Sequence, residues 1–234
     1  MALILNIDTA TENASVCLAQ NGNILAFEES REQKNHASFL QPAIQKILAE
    51  VSININRLDA VAVTHGPGSY TGLRVGLSSA KGICYAINKP LITLNTLEVM
   101  VEAMEKAVAT SISETNQLPV LYCPMIDARR MEVFTAVYTQ KRAIVVEPCS
   151  MILDNESFSA QLSENLMIFS GSGHIKLKPI LNTSNALFLH TVYSTKDMIV
   201  LSEKSFTANT FANLAYSEPF YGKEFYNPIS PKNG

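Results

Sequence analysis

The chain has 234 residues, of which 47% are hydrophobic and 17% charged, and its formal net charge at pH 7 is −3. This composition is ample for a buried core and excludes an intrinsically disordered chain. The slight negative charge and the lack of a long Lys or Arg run argue against a chain that holds a nucleic acid alone, because phosphate contacts dominate such affinity.

The cysteines and the apolar runs predict a cytoplasmic protein. The four cysteines are far apart and form no C-x-x-C pair, which indicates a reducing compartment without disulfides or a zinc site. The N-terminus opens directly into a strand pattern, without a charged leader. No apolar run is long enough to cross a bilayer, so we expect no membrane association.

Hydrophobic periodicity predicts alternating strands and helices in the first half of the chain. Predicted strands cover residues 2–7, 14–19, 24–28, 58–63 and 91–94. Predicted helices cover residues 35–51, 77–87 and 97–108. Pro42 should kink the first of these helices or mark its first turn.

A polar, aperiodic stretch over residues 109–118 predicts a boundary between two lobes. Beyond it, strands are predicted over residues 119–126, 131–138, 143–147 and 166–169. A helix over residues 196–206 should be capped by Ser194 or Thr195. We assign residues 1–108 plus 194–234 to an N-terminal lobe and residues 109–193 to a second, smaller lobe.

The stretch T-H-G-P-G-S-Y-T-G-L-R-V-G, Thr64–Gly76, joins a predicted strand to a helix. Its glycines and proline predict a tight turn, and Ser69 or Thr71 can cap the helix. The start of that helix could hold an anion such as phosphate. The alternative is a turn that binds nothing, because the Gly-Lys-Ser/Thr ending of a phosphate loop is absent.

Small residues recur on one face of the same helix. Gly72, Gly76 and Ala80 are four residues apart, so another element can approach this face closely. A glycine inside a helix costs about 1 kcal/mol relative to alanine, which close packing would offset. The packing element could belong to the same domain or to a partner subunit, and the sequence leaves both open.

Four sequence blocks together resemble a known family. Thr64–Gly76, I-D-T-A-T at residues 7–11, D-A-R-R-M-E-V-F at 127–134 and E-P-F-Y at 218–221 resemble the bacterial TsaB (YeaZ) family of tRNA threonylcarbamoyladenosine biosynthesis proteins. The resemblance implies an α/β, two-lobed actin-like ATPase (ribonuclease H-like) fold with mixed sheets and flanking helices.

The resemblance also implies a function and partners. It implies a non-catalytic, activating subunit that binds a TsaD-like catalytic subunit, together with a TsaE-like ATPase. It implies that tRNA is contacted only indirectly and that the chain can form a homodimer without its partner. No cofactor is then required by this chain, although ATP or ADP could lie at the interface of the complex. The predicted partner-facing residues, on two helices, are Phe39, Ile47, Gly72, Gly76 and Ala80.

The turn after the first strand resembles the start of an actin-like nucleotide site. Asp8 is either a relic of such a site or a cap of its own turn, and Ala10 stands where a glycine would admit phosphate. We therefore expect at most a vestigial nucleotide or anion region. Its candidate residues are Asp8, Thr9, Ser69 and Thr71.

We predict neither a catalytic residue nor a metal site. TsaD paralogues hold a metal with H-x-x-x-H on a helix, but here the residue four after His36 is Leu40. The alternative function is an independent ATP-binding small-molecule kinase or ATPase of the same fold. Peptidase activity would need Ser69 and His65 to meet as a nucleophile and base. Arg129 could pair with Asp127, reach an anion across the cleft, or lie in a solvated turn.

Overall fold

The first sheet of the molecule is mixed. The computed structural model describes residues 2–32, 35–111 and 118–222. The strands are β1 (Leu3–Asp8), β2 (Ala14–Gln20), β3 (Asn23–Ser30), β4 (Ala60–Gly66) and β5 (Leu91–Asn95). Their spatial order is β3-β2-β1-β4-β5, with an antiparallel β1–β2–β3 meander and parallel pairing of β4 to β1 and β5.

The second sheet repeats this plan. Its strands are β6 (Val120–Asp127), β7 (Glu132–Thr139), β8 (Ile144–Ile152), β9 (Leu166–Ser170) and β10 (Ala186–Phe188). The order is β10-β9-β6-β7-β8, again an antiparallel meander followed by parallel strands. The two mixed sheets with flanking helices confirm the predicted fold class.

Helices flank both sheets. They are α1 (His36–Glu50), α2 (Tyr70–Ile87), α3 (Thr96–Ser111), α4 (Ser159–Leu162), α5 (His174–Leu177) and α6 (Thr195–Thr207). Pro42 lies inside α1 and does not end it. Among the helices that the structure describes, none combines the length and the apolar character that a bilayer crossing demands.

Two hydroxyl side chains begin the long helices as predicted. Ser69 accepts a hydrogen bond from the backbone N–H of Gly72 at the start of α2. Ser194 forms a capping box with Asp197 at the start of α6. Strand β8 is longer than predicted. It continues to Ile152, because its last residues pair with β7 as far as Glu132.

Apolar clusters connect the layers. One cluster lies between α1, α2 and the first sheet, and another joins strands of both sheets around α3. Helix α6 packs against β1, β2, β5 and α3. We retain the division into lobes 1–108 plus 194–234 and 109–193 as a proposal; residues 112–117 and 223–234 lie outside the described residues.

Candidate functional site

A cavity of about 920 Å³ opens where the strand ends of the two sheets face each other. The wall on the side of the first sheet consists of residues 10–12, after β1, and residues 68–71, after β4. The opposite wall consists of residues 126–129 with Phe134 and Ser172. The tertiary structure thus brings together the three turns that the sequence identified from separate blocks.

Asp8 lies beneath this cavity and caps its own turn. Its side chain is buried, and Oδ1 accepts hydrogen bonds from the Ala10 N–H, at 3.1 Å, and from the Thr64 hydroxyl. Burial raises the pKa of Asp8, while the bonds from Thr64, Ala10 and Tyr193 act in the opposite direction. Asp8 does not line the cavity.

Thr9 binds the small face of α2. Its hydroxyl donates to the Gly72 carbonyl at 2.7 Å. A Cβ added to Gly72 would collide with the Thr9 carbonyl, and one added to Gly76 would collide with the Thr9 hydroxyl. The close approach indicated by the glycine spacing therefore takes place inside this chain.

Four of the five predicted partner-facing residues are buried in this structure. Ala80 and Ile47 are buried in the apolar cluster beside the first sheet, and Gly72 and Gly76 are buried against Thr9. Phe39 is partly buried against the same cluster. That α1 and α2 bind a partner, with these residues at the interface, stays a prediction.

The glycine turn is clamped onto the turn after β1. The Ser69 N–H donates to the Ala10 carbonyl at 2.7 Å, and a Cβ added to Gly68 would collide with that same carbonyl. The Ser69 hydroxyl is engaged as the cap of α2. Of the four residues predicted for an anion region, Ser69 and Thr71 line the cavity, whereas Asp8 and Thr9 lie behind it.

The opposite wall is organised by Asp127. Partial burial raises the pKa of Asp127, but the Lys176 ammonium at 2.8 Å and the Arg129 backbone N–H at 2.6 Å outweigh it and lower that pKa below the ordinary value. The backbone N–H of Arg129 thus binds Asp127. Arg129 is also exposed and lines the cavity.

The histidines of the first lobe have structural partners. The Nε2–H of His36 donates to the Thr11 carbonyl at 2.7 Å, and Leu40 is buried in the core. His65 Nδ1 binds the Leu94 carbonyl at 3.0 Å, so His65 and Ser69 are engaged separately. Within residues 2–32, 35–111 and 118–222, no group of three His, Cys, Asp or Glu side chains is arranged to hold a metal ion.

Sequence reasoning missed two contacts at this site. Tyr193 reaches both Asp8 and Thr11 from just before α6, and no local pattern distinguishes it from a loop residue. Gly66 has φ of +126°, and a Cβ there would collide with the Phe220 carbonyl. The E-P-F-Y block at residues 218–221 was the sequence feature that could have indicated the contact of Phe220 with Gly66.

Comparison with known proteins identifies the family. Residues 28–220 match the family model described as "TsaD: tRNA N6-adenosine threonylcarbamoyltransferase". The tRNA threonylcarbamoyladenosine biosynthesis protein TsaB of Escherichia coli (strain K12) is 35% identical over 136 residues, covering 58% of this chain and 54% of that protein. The chain belongs to the TsaD family.

Two further similar proteins match most of the chain. TsaB of Buchnera aphidicola is 25% identical over 227 residues, covering 92% of this chain and 98% of that protein. A crystal structure described as a Pseudomonas aeruginosa protein with similarity to peptidase YEAZ superposes with a TM-score of 0.78 at 22% identity, covering 95% of this chain and all of that one. The latter likeness shows the shared fold.

The match to other curated TsaB proteins is partial. It spans about half the length of the first three such relatives, at 57%, 51% and 54% of each. In this TsaD-family chain the cavity carries hydroxyls on both walls and the carboxylates of Glu12 and Asp127. Such a lining suits a polar ligand, while the clamped turns keep Asp8 away from it.

Proposed function

We propose that this chain is a non-catalytic, activating subunit in the biosynthesis of N6-threonylcarbamoyladenosine in tRNA. It binds a TsaD-like catalytic subunit, is joined by a TsaE-like ATPase, and contacts tRNA only through these partners. It forms a homodimer when the partner is absent. Support comes from the printed names of the TsaB relatives and from the family match. The four free cysteines suit a cytoplasmic location.

One observation carries the non-catalytic part of this proposal. The turn after β1 and the glycine turn are locked together by the Ser69–Ala10 hydrogen bond and by the contact of Gly68 with Ala10. Beneath these two turns, the Asp8 carboxylate accepts a hydrogen bond from the Ala10 N–H and so caps its own turn. An acidic group that is buried and bonded in this way cannot face a metal–phosphate group in the cavity.

The outward face of α2 offers a better partner surface than the inward one. Ser78, Gly82 and Ala86 are four residues apart and exposed. A Cβ added to Gly82 would meet no atom within 4 Å, so nothing in this fold requires a glycine there. Since a mid-helix glycine costs about 1 kcal/mol, its presence supports close approach by another chain.

Helix α1 extends this surface. Its Gln41 amide donates to the Ser79 hydroxyl at 3.1 Å, which fixes α1 beside α2. Phe39, the one predicted partner-facing residue that is only half-buried, lies on α1. We therefore place the partner contact on the exposed residues of both helices around Gly82.

A reconstituted reaction tests the proposed function. The mixture contains TsaD, TsaE, the enzyme that makes threonylcarbamoyl-adenylate, tRNA, ATP, threonine and bicarbonate, with this chain present or omitted. We expect product only when the chain is present, and no ATP hydrolysis or tRNA modification by the chain alone. Undiminished product without the chain would contradict the proposal, and ATP-dependent small-molecule phosphorylation would then be tested as the alternative.

Substitution of Gly82 tests the proposed surface. Gly82→Leu should abolish co-elution with the TsaD-like subunit, because the added side chain occupies the space that the partner helix needs. Thr207→Leu is the control, since it places the same leucine side chain at an exposed position on α6, away from the proposed surface. Equal co-elution of Gly82→Leu and wild type would place the partner elsewhere on this chain.

A further inference from the structure

The last described segment of the chain, residues 211–222, forms a strap along α2. It begins where the Ala212 N–H donates to the Leu91 carbonyl at 2.8 Å, at the edge of β5. The Lys81 ammonium then donates to the carbonyls of Ala215 and Ser217, each at 3.1 Å. Although this strap has little regular secondary structure, its backbone is bonded to the helix and sheet beside it.

The strap next closes onto the glycine turn. The Phe220 N–H donates to the His65 carbonyl at 2.7 Å. The Phe220 carbonyl occupies the space that a Cβ on Gly66 would need, and the φ of Gly66, +126°, also favours glycine. One glycine of the T-H-G-P-G stretch is therefore required by the strap.

An aromatic and cationic cluster anchors the strap at the next residue. The ring of Tyr221 stacks on that of Tyr70, with centroids 5.0 Å apart. The Arg74 guanidinium donates to the Tyr221 hydroxyl at 2.8 Å and lies 4.1 Å from the Tyr70 centroid. Tyr70 is also part of the cavity wall.

The strap finally touches the opposite wall. A Cβ on Gly222, whose φ is +69°, would lie 2.9 Å from the Phe134 ring and 3.4 Å from Pro67. Phe134 belongs to β7 of the second sheet and lines the cavity, whereas Pro67 belongs to the glycine turn of the first lobe. Gly222 therefore lies beside one residue of each lobe, and a side chain there would press on Phe134.

We propose that residues 218–222 are an internal tether that sets the width of the cleft between the lobes. The tether is anchored on the first lobe by the Phe220 and Tyr221 contacts, and it meets the second lobe at Phe134. With the tether in place the two walls keep one separation. Its release lets the cleft sample wider states, and it needs no partner to act.

Paired spin labels across the cleft measure this width. Labels at Thr71→Cys and Arg129→Cys, both exposed and on opposite walls, report the separation in a Cys149→Ser background, where the remaining cysteines are buried. Tyr221→Ala removes the stack and the hydrogen bond, and Gly222→Val inserts bulk against Phe134. Both should shift the distance distribution to longer and broader values.

The exchange rate of the Phe220 amide proton shows whether the strap is released. We expect about tenfold faster exchange in Tyr221→Ala, because a lost hydrogen bond and ring stack amount to about 1.4 kcal/mol. Tyr216→Ala, at a strap residue that is 83% exposed, is the matched control and should change neither readout.

Two results would overturn the tether. An unchanged distance distribution in a variant whose Phe220 amide exchanges faster would show that the strap does not set the cleft width. Unchanged Phe220 exchange in both variants would show that Tyr221 and Gly222 do not hold the strap. Changes confined to the proposed TsaD contact would leave these measurements unaffected, so the tether and the proposed function are tested separately.

Discussion

Gly76 and Gly82 lie on the same helix and have opposite surroundings. Gly76 is buried, and a Cβ there would collide with the Thr9 hydroxyl. Gly82 is exposed, and a Cβ there would meet nothing within 4 Å. The same residue type therefore serves internal packing at one position and leaves a free surface at the other.

This contrast predicts opposite effects of alanine. Gly76→Ala should lower the free energy of unfolding by about 1–3 kcal/mol, the range typical of overpacking in a core. Gly82→Ala should raise it by about 0.5–1 kcal/mol, because alanine is the better helix former. Urea denaturation of both variants measures the difference. Equal shifts in one direction would contradict the assignment of inward and outward faces.

Asp8 makes stability depend on pH. Burial holds its pKa above the ordinary value of 3.8, so the folded chain favours the protonated form. The contribution of Asp8 to the free energy of unfolding is therefore fully present below about pH 3.8. It is lost as the pH rises from there through the raised pKa of the folded chain. Asp8→Asn retains an acceptor for Thr64 and Ala10 but cannot ionise.

The stability of Asp8→Asn relative to wild type should consequently increase with pH across that window and then level off. Chemical denaturation at several pH values from about 3.5 to 7 measures it, starting below the unfolded pKa of Asp. A difference that stays constant with pH would show that Asp8 ionises as readily in the folded chain as in the unfolded one.

At the scale of elements, α2 depends on how its first turn is closed. Ser69 caps the helix through the Gly72 N–H, at 3.3 Å, while its own N–H ties the turn to Ala10. Thr71, two residues on, carries a hydroxyl that is exposed in the cavity wall. The two hydroxyls thus have different roles despite similar sequence surroundings.

Ser69→Ala should reduce the free energy of unfolding by about 1 kcal/mol, the usual effect of a lost N-cap. Thr71→Ala is the matched control and should change it by less than about 0.5 kcal/mol, as at other surface positions. Thermal unfolding followed by circular dichroism compares them. A larger loss of unfolding free energy in Thr71→Ala than in Ser69→Ala would show that Thr71, not Ser69, caps α2.

At the scale of the whole molecule, α3 connects the two sheets and α6. Arg142, in the turn after β7, donates to Glu102 and Glu105 of α3, each at 2.7 Å. Lys106 of α3 pairs with Asp197 of α6 at 2.6 Å. Only 17% of the Arg142 side chain and 12% of the Glu102 side chain are exposed, so solvent screens their pair weakly.

Arg142→Met should reduce the free energy of unfolding by about 2 kcal/mol, because it leaves the nearly buried Glu102 carboxylate without its cation. Burial already raises the pKa of Glu102 and Arg142 lowers it, so the substitution should raise that pKa further. Arg31→Met, which breaks an exposed pair with Glu29, should have an effect below about 0.5 kcal/mol. Similar losses in both variants would contradict a special role for Arg142.

The sequence by itself determined the order and type of β1 to β9 and of the four long helices, because strand and helix periodicities are local; the short α4, α5 and β10 were not predicted. It also determined that one face of α2 must be approached closely, since Gly72, Gly76 and Ala80 share that face. The four sequence blocks further indicated a protein of tRNA threonylcarbamoyladenosine biosynthesis with an α/β fold of mixed sheets. The match to the TsaD family model and the repeated sheet plan confirm the family and the fold class.

Only the tertiary structure decided what meets each of these features. Thr9 fills the small face of α2 from a turn far earlier in the chain, and Phe220 approaches Gly66 from far later. Such contacts depend on how distant segments pack together, and the apolar stripe of α2 that contains Gly76 does not tell which segment covers it. The sequence shows where glycines occur, whereas the packing of distant segments determines which neighbouring residue occupies the space beside each of them.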